Sequence, residues 1–432
     1  MAQGLGLPPE KQRLSDGGTE RLYHLDALRS IAMLFGLFVH ANMLHGGDFI
    51  PLVGLTSIYF RMATFFLISG YLAAHVAGRT SNRAMLSGRT LSLLLPFAVM
   101  LVLVAPLTSY LVILWNEGPG LSFPEFLAER WTSLTFLHLW FLPVLWIYVL
   151  LVPAMRWALD LAPLRRGAAA MARWHPDVLI IVLALAAGGM AVALRGIHPM
   201  VLRPIFDDRF EWIFREMLRY LPFFALGVAL QASQPLFWRF HRASLPALAL
   251  GAAFALAAGR LEAGLSPIGQ TALWLFVWAS LTLPIVAMLL WIAQQLFAAP
   301  NPIVVALTGS IYTVYLFHYI AIYAFALLLV PVLGNGAALY FTTVALTFLT
   351  TFALHQLVIA RVPLLRLLFN GRQIRRAGAS GSSATADPHR VVAHDIDPDP
   401  AGGQNRIGGH GQRVSAVTLP HSRIPTGRDI DR

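Results

Sequence analysis

Cysteine is absent from this chain, which excludes disulfides, thiolate metal sites and a covalent acyl-cysteine intermediate. Charge is scarce as well. Charged residues make up 12% of the 432 residues and hydrophobic ones 57%, a balance that excludes an ordinary soluble globular domain. The acids are the rarer sign, 21 against 32 lysines and arginines. The excess arginine gathers at the ends of apolar runs and in the tails. It therefore reads as a topology signal and as contact with membrane lipids, and implies no nucleic-acid partner.

What is present is apolar sequence in runs of the roughly 20 residues that a membrane helix needs. Ten spans are expected, over residues 25–45, 54–75, 91–114, 137–155, 177–194, 212–231, 244–259, 271–292, 303–330 and 337–359. Turn residues separate them, among them Gly46-Gly47, Asn116-Glu-Gly-Pro119, Pro300-Asn-Pro302 and Gly334-Asn-Gly336. The chain divides into a polar leader (1–24), a ten-helix membrane domain (25–370) and a tail (371–432). The leader carries Lys11, Arg13 and Arg21, and the run after it lacks a small-residue cleavage site, so an uncleaved signal anchor is expected. The tail is Gly, Ser, Asp, Pro and Arg with scattered histidines and no apolar period. It is expected to be disordered and to bind no metal.

Arginine fixes the orientation. One set of alternate loops holds Arg79, Arg83, Arg89, Arg156, Arg165, Arg166, Arg173, Arg239 and Arg242, joined after the last span by Arg361, Arg366, Arg372, Arg375 and Arg376. The opposite set holds Arg130, Arg195, Arg203, Arg209 and Arg260. Fourteen against five places both termini in the cytoplasm.

Within the spans, ionisable groups are expensive and mark a pathway or a reaction site. Arg29 and His40 share the first span with ten residues between them. Eleven steps of about 100° return both side chains to one face, roughly 16 Å apart along the axis. A cation near one end and a titratable base deeper in suit a long anionic cofactor. On these two residues alone, a snorkelling arginine and a histidine bonding between helices remain the other reading. Depth separates the two. At about 1.5 Å per residue in a core about 30 Å thick, His40, Arg61 of the second span and His318 of the ninth all lie roughly 20–22 Å from the cytoplasmic face. Ser69-Gly70-Tyr71 lies lower, near the level of Arg29, where it either packs helices closely or leaves room for a slender chain. His138-Leu-Trp140 opens the fourth span at the outer interface, where His138 faces an incoming acceptor.

In order along the chain, Arg29 with His40, then Phe65-Phe-Leu-Ile-Ser69-Gly-Tyr71, then His138-Leu-Trp-Phe-Leu142, then Tyr315-Leu-Phe-His318 resemble the acyltransferase 3 family of integral-membrane O-acyltransferases. The likeness covers about residues 22–370. Phe60-Arg-Met62, the run Arg219 to Gly227 and the run Arg361 to Arg372 are similar to its branch that succinylates periplasmic glucans. An acid that relatives often carry late in the last span is missing here, where the chain reads His355-Gln-Leu-Val. The resemblance implies an acyl-coenzyme A donor (succinyl-CoA or acetyl-CoA) on the cytoplasmic side and no permanently bound cofactor. It also implies a glucan or other polysaccharide acceptor on the outer side and a bacterial inner-membrane location. Expected roles follow. His40 is the general base, and Arg61 or His318 stabilises the oxyanion. Arg29, Ser69 and Tyr71 receive the donor; His138 and Trp140 meet the acceptor. O-acetylation of another surface polysaccharide or lipid-linked sugar is the alternative. A proton-coupled carrier is the rival from another class, and the chain lacks the internal repeat such carriers show.

The arginine asymmetry has a direct check. Reporter tags at the N-terminus and after Arg376 should read cytoplasmic, and tags near Gly120 and Asp207 should read external. A C-terminal tag found outside would undo the ten-span count and the depths built on it.

Overall fold

The computed structural model describes residues 22–45, 49–130, 136–201, 208–299 and 301–371. The leader before Leu22, the tail from Arg372 and Trp131 lie outside the described residues. Within them the chain is helical throughout, with no strand. The helices are α1 (Tyr23–Asn42), α2 (Pro51–Thr56), α3 (Met62–Ala77), α4 (Asn82–Val99), α5 (Ala105–Glu117), α6 (Phe123–Arg130), α7 (Phe141–Asp160) and α8 (Ala162–Met171). The second half adds α9 (Pro176–Val201), α10 (Asp208–Ala232), α11 (Gln234–Phe240), α12 (Leu245–Leu261), α13 (Pro267–Leu296), α14 (Pro302–Leu333), α15 (Ala337–Leu354) and α16 (Pro363–Asn370).

Nine helical stretches among the described residues are long and apolar enough to cross a membrane, and they coincide with nine of the ten expected spans. The tenth expected span is α10. It has the length, but Arg215, Glu216 and Arg219 fall within its last 18 residues and make it too polar to cross on composition alone. The chain is an all-α polytopic membrane protein.

Three π-helical turns interrupt the spans. Ser57–Arg61 joins α2 to α3, Met100–Val104 joins α4 to α5, and His355–Ile359 extends α15. Each adds a residue to one turn and so rotates the following helix relative to a regular register, a device that often marks a functional position. Glycines with positive φ close helices where turns were expected: Gly118 after α5 and Gly334 after α14.

The buried apolar residues form two clusters. The larger joins α3, α7, α10 and α13; the smaller joins the second half of α1 to α14 and α15. Inside a bilayer the packing of such clusters rests on close contact and interhelical hydrogen bonds, because lipid is as apolar as the side chains. Both are seen. Gly70 of α3 meets the Phe224 carbonyl of α10, and Gly227 of α10 meets the Leu67 carbonyl of α3, so closely that an added Cβ at either would overlap the facing backbone. Aromatic tips then tie neighbouring helices through backbone carbonyls. Trp278 Nε1 donates to Ile58 at 3.0 Å, Tyr340 Oη to Phe38 at 3.0 Å and Tyr312 Oη to Ser92 at 3.0 Å. Trp146 donates to Thr90 Oγ1 at 2.9 Å between α7 and α4.

The reciprocal glycine contact sets the α3–α10 spacing. Gly70→Ala and Gly227→Ala should each destabilise the protein by about 1–3 kcal/mol through overpacking. A thermal inactivation midpoint in detergent that does not fall in either variant would contradict this.

Candidate functional site

α1 is regular from Tyr23 to Asn42, so Arg29 and His40 do share one unbroken helix. One turn before His40, Gly36 leaves a bare patch on which the Arg61 guanidinium rests; a Cβ there would stand 3.1 Å from Arg61 Nη1. Arg61 is the last residue of the first π-turn, and its Nε donates to Ser57 Oγ at 3.1 Å. No carboxylate pairs with it among the described residues. Its electrostatic neighbours are the hydroxyls of Tyr220 and Tyr315.

Around this pair the chain assembles three imidazoles. The ring centroids are 5.1 Å apart for His40 and His318, 4.9 Å for His138 and His318, and 6.4 Å for His40 and His138. Tyr319 stacks on His138 at 4.9 Å and meets His40 edge-on at 5.0 Å. His138 and His318 are buried. His138, expected to face an incoming acceptor, turns into the bundle. The short 3₁₀ turn Leu137–Trp140 swings its ring inward, and Leu137 enters that turn with φ +47°, a left-handed conformation that a leucine rarely adopts.

Backbone carbonyls fix two of the rings. His138 Nε2 donates to the Leu316 carbonyl at 3.1 Å, and His318 Nδ1 donates to the Tyr315 carbonyl at 2.6 Å. Tyr315 in turn donates its hydroxyl to the His138 carbonyl, closing a ring of contacts between α14 and the head of α7. A carbonyl only accepts, so each neutral imidazole must spend its single N–H there. What remains is a bare lone pair, on His138 Nδ1 and on His318 Nε2. Both are buried without a partner, as is His40 Nδ1. Of the two residues named for the oxyanion, Arg61 brings N–H groups, while neutral His318 has given its one N–H to the Tyr315 carbonyl.

A cavity of about 20 Å³ lies at the centre, lined by His40, Arg61, His138, Trp140, Tyr315 and Phe141 among others. It has room for about one water. Ser69, Tyr71 and Arg29 lie outside its lining. Gly70 faces α10, so the space expected beside Ser69 is filled on that side. Tyr71 packs on Phe237 at 4.8 Å and its hydroxyl accepts from Gln234 Nε2 at 3.2 Å. Arg29 sits three turns from His40 with Asp26 at 3.5 Å, and Arg89 of α4 comes within electrostatic reach of it. Arg79 and Arg83, on the loop after α3 and at the start of α4, are exposed. His355 is buried and bonded to Thr313 Oγ1 through Nδ1 at 2.7 Å. Among the described residues no three His, Cys, Asp or Glu side chains are grouped to hold a metal.

A helical membrane bundle that clusters three histidines beside a small cavity with an arginine unpaired by any carboxylate among the described residues defines a class, an intramembrane site equipped for proton transfer. The comparisons with known proteins specify it. The family model for the acyltransferase domain, acyltransferase 3, matches residues 22–356, and the chain belongs to that family. It is similar to glucans biosynthesis protein C of Salmonella paratyphi A and of Salmonella agona, each 24% identical over 378 residues that cover 82% of this chain and 95% of the relative. The protein of that name from Salmonella gallinarum is 24% identical over 379 residues, with the same coverage. No solved structure matches. The chain is thus a membrane acyltransferase.

Gly36 gives the site a test away from the imidazoles. Gly36→Val should push the guanidinium off its patch and lower acyl transfer about tenfold to a hundredfold, the scale of an ångström-sized misplacement. Gly88→Ala, where an added Cβ meets nothing within 4 Å, should leave transfer unchanged. Equal activity in the two variants would detach Arg61 from the chemistry.

Proposed function

We propose that the protein moves an acyl group, succinyl for preference, from cytoplasmic acyl-coenzyme A to a hydroxyl of a glucan on the outer side of a bacterial inner membrane. The observation that carries this reading is the meeting of His40, His138 and Arg61 around one cavity, with His318 packed against both histidines and an unpartnered nitrogen left on each ring. The named relatives support a glucan as the acceptor.

Transfer needs a base and a place for negative charge. A sugar hydroxyl is too weak an acid to ionise near neutrality, so it attacks the thioester carbonyl only as its proton leaves. His40 accepts that proton. The carbonyl oxygen gains negative charge as the new C–O bond forms, and the Arg61 guanidinium, already desolvated and held at Gly36, stabilises it with no reorganisation at the moment of reaction. The C–S bond then breaks and the leaving thiolate takes the proton from His40. An ester and a free thiol result, and the histidine is neutral again. His138 and His318 present acceptors on either side, suited to orient the attacking hydroxyl through its own O–H. At the other end of α1, Arg29 with Arg89 forms a cationic pair fitted to the phosphates of the coenzyme through charge-assisted hydrogen bonds.

His40→Ala should abolish transfer by about 10²–10⁴-fold while the protein still inserts and accumulates. Arg29→Ala should act on donor binding, raising the KM for acyl-coenzyme A more than it lowers kcat. Near-normal acylation by purified His40→Ala supplied with acyl-coenzyme A would show the histidine to be structural.

A further inference from the structure

A second cavity lies between α9, α10 and the start of α13. It holds about 560 Å³ and is walled by Arg195 of α9, Arg215, Glu216 and Arg219 of α10, Glu262 after α12, and Gln270 and Trp274 of α13. These are the C-terminal end of α9, the N-terminal half of α10 and the start of α13. By alternation of the helices they lie at the same end of the bundle as the C-terminus of α1 and the head of α7, where His40 and His138 sit. Resting on the transfer reading above, we propose that this cavity binds the acceptor as a neutral, polyhydroxylated chain, with Trp274 as a stacking face and the arginines and glutamates as hydrogen-bonding walls.

Charge selects among ligand classes. Five ionised groups in the wall of a membrane bundle require water or a polar ligand, since bare hydrocarbon would leave them unsolvated. The wall holds three guanidinium groups and two carboxylates; one pair closes within it, and a second ties Arg215 to Glu211 beside it. Arg219 lies 3.5 Å from Glu216, and Arg215 lies 3.8 Å from Glu211. A polyanion would gain little from so balanced a wall and would meet Glu216 and Glu262. A sugar hydroxyl both donates and accepts, so it uses guanidinium and carboxylate alike. Arg219 Nε is buried without a partner, a donor still available to a ligand. Trp274, 39% exposed, offers an indole face to the apolar side of a sugar ring. The volume falls in the roughly 300–1,000 Å³ range of small-molecule clefts, which suits a short segment of a longer chain.

α10 connects this cavity to the reacting groups. Arg219 stands 4.4 Å over the Trp278 ring, and Trp278 Nε1 holds the Ile58 carbonyl of the π-turn that carries Arg61. Further along α10, Trp212 meets Trp140, which lines the small cavity, at 5.6 Å. α10 thus lines the larger cavity and, through Trp212, packs against one wall residue of the smaller one.

The test is direct binding of a neutral glucose heptasaccharide, and separately of acyl-coenzyme A, to the full-length protein in detergent. A sulfated heptasaccharide serves as the anionic comparison. Trp274→Ala and Arg215→Gln should each weaken heptasaccharide binding about tenfold and leave acyl-coenzyme A binding unchanged, while Trp274→Phe retains most of the affinity. Arg215→Gln changes a half-exposed side chain, so it reads the site even if Trp274→Ala folds poorly. Wild-type affinity in both variants, no binding by the parent, or tighter binding of the sulfated sugar would each overturn the proposal. Failure of the transfer reading would look different: heptasaccharide and acyl-coenzyme A would both bind, with no ester formed.

Discussion

Every polar group buried in this bundle has to be satisfied by the bundle, because the surrounding hydrocarbon offers no partner. That constraint shapes the site. His138 and His318 each hand their one neutral N–H to a carbonyl of α14, which fixes the tautomers and leaves one buried nitrogen on each ring without a partner. Arg61 has no carboxylate to neutralise it among the described residues, and rests instead on Gly36, Ser57 and the nearby tyrosines. A carboxylate there would have stabilised the arginine and cancelled the charge the reaction uses. The unpaired cation and the unprotonated nitrogens are complementary to a developing oxyanion and a departing proton.

The fold holds these groups rigidly at the seam between its two apolar clusters. α3 is pinned to α10 by the glycine contacts, and the π-turn at the head of α3 is pinned to α13 by Trp278. The cavity enclosed admits about one water. The acyl thioester of the proposed reaction is far larger, so that reaction requires the bundle to open. α2 and the π-turn that carries Arg61 form one exposed flank, where Leu52, Leu55 and Ile58 are all exposed. Lid-like motions of this kind commonly limit turnover in enzymes that exclude water.

Much of this was legible in the residues. The apolar runs located the helices, because a span of hydrocarbon imposes a length on any helix that crosses it. The convergence of His40, Arg61 and His318 followed from counting rise along three spans. Two features were not legible. The π-turns leave no signature in sequence, since an i→i+5 bond uses the same residues as i→i+4, so the rotation that delivers Arg61 to Gly36 was hidden. The inward turn of His138 was the other, since the 3₁₀ turn that carries it depends on a left-handed Leu137, which no propensity suggests. The charges of α10 were visible all along, and only packing showed that they gather on a cavity wall rather than mark a loop.

The central claim is that one site joins a donor on one side of the membrane to an acceptor on the other. Purified protein in sealed vesicles tests it most directly, with acyl-coenzyme A confined outside or inside and a glucose oligosaccharide confined to the opposite compartment. The account predicts acyl esters on the oligosaccharide when donor meets the face bearing Arg29 and Arg89 and acceptor meets the face bearing Trp274, and none in the reversed arrangement. Ester formation only when both substrates share one compartment would contradict it.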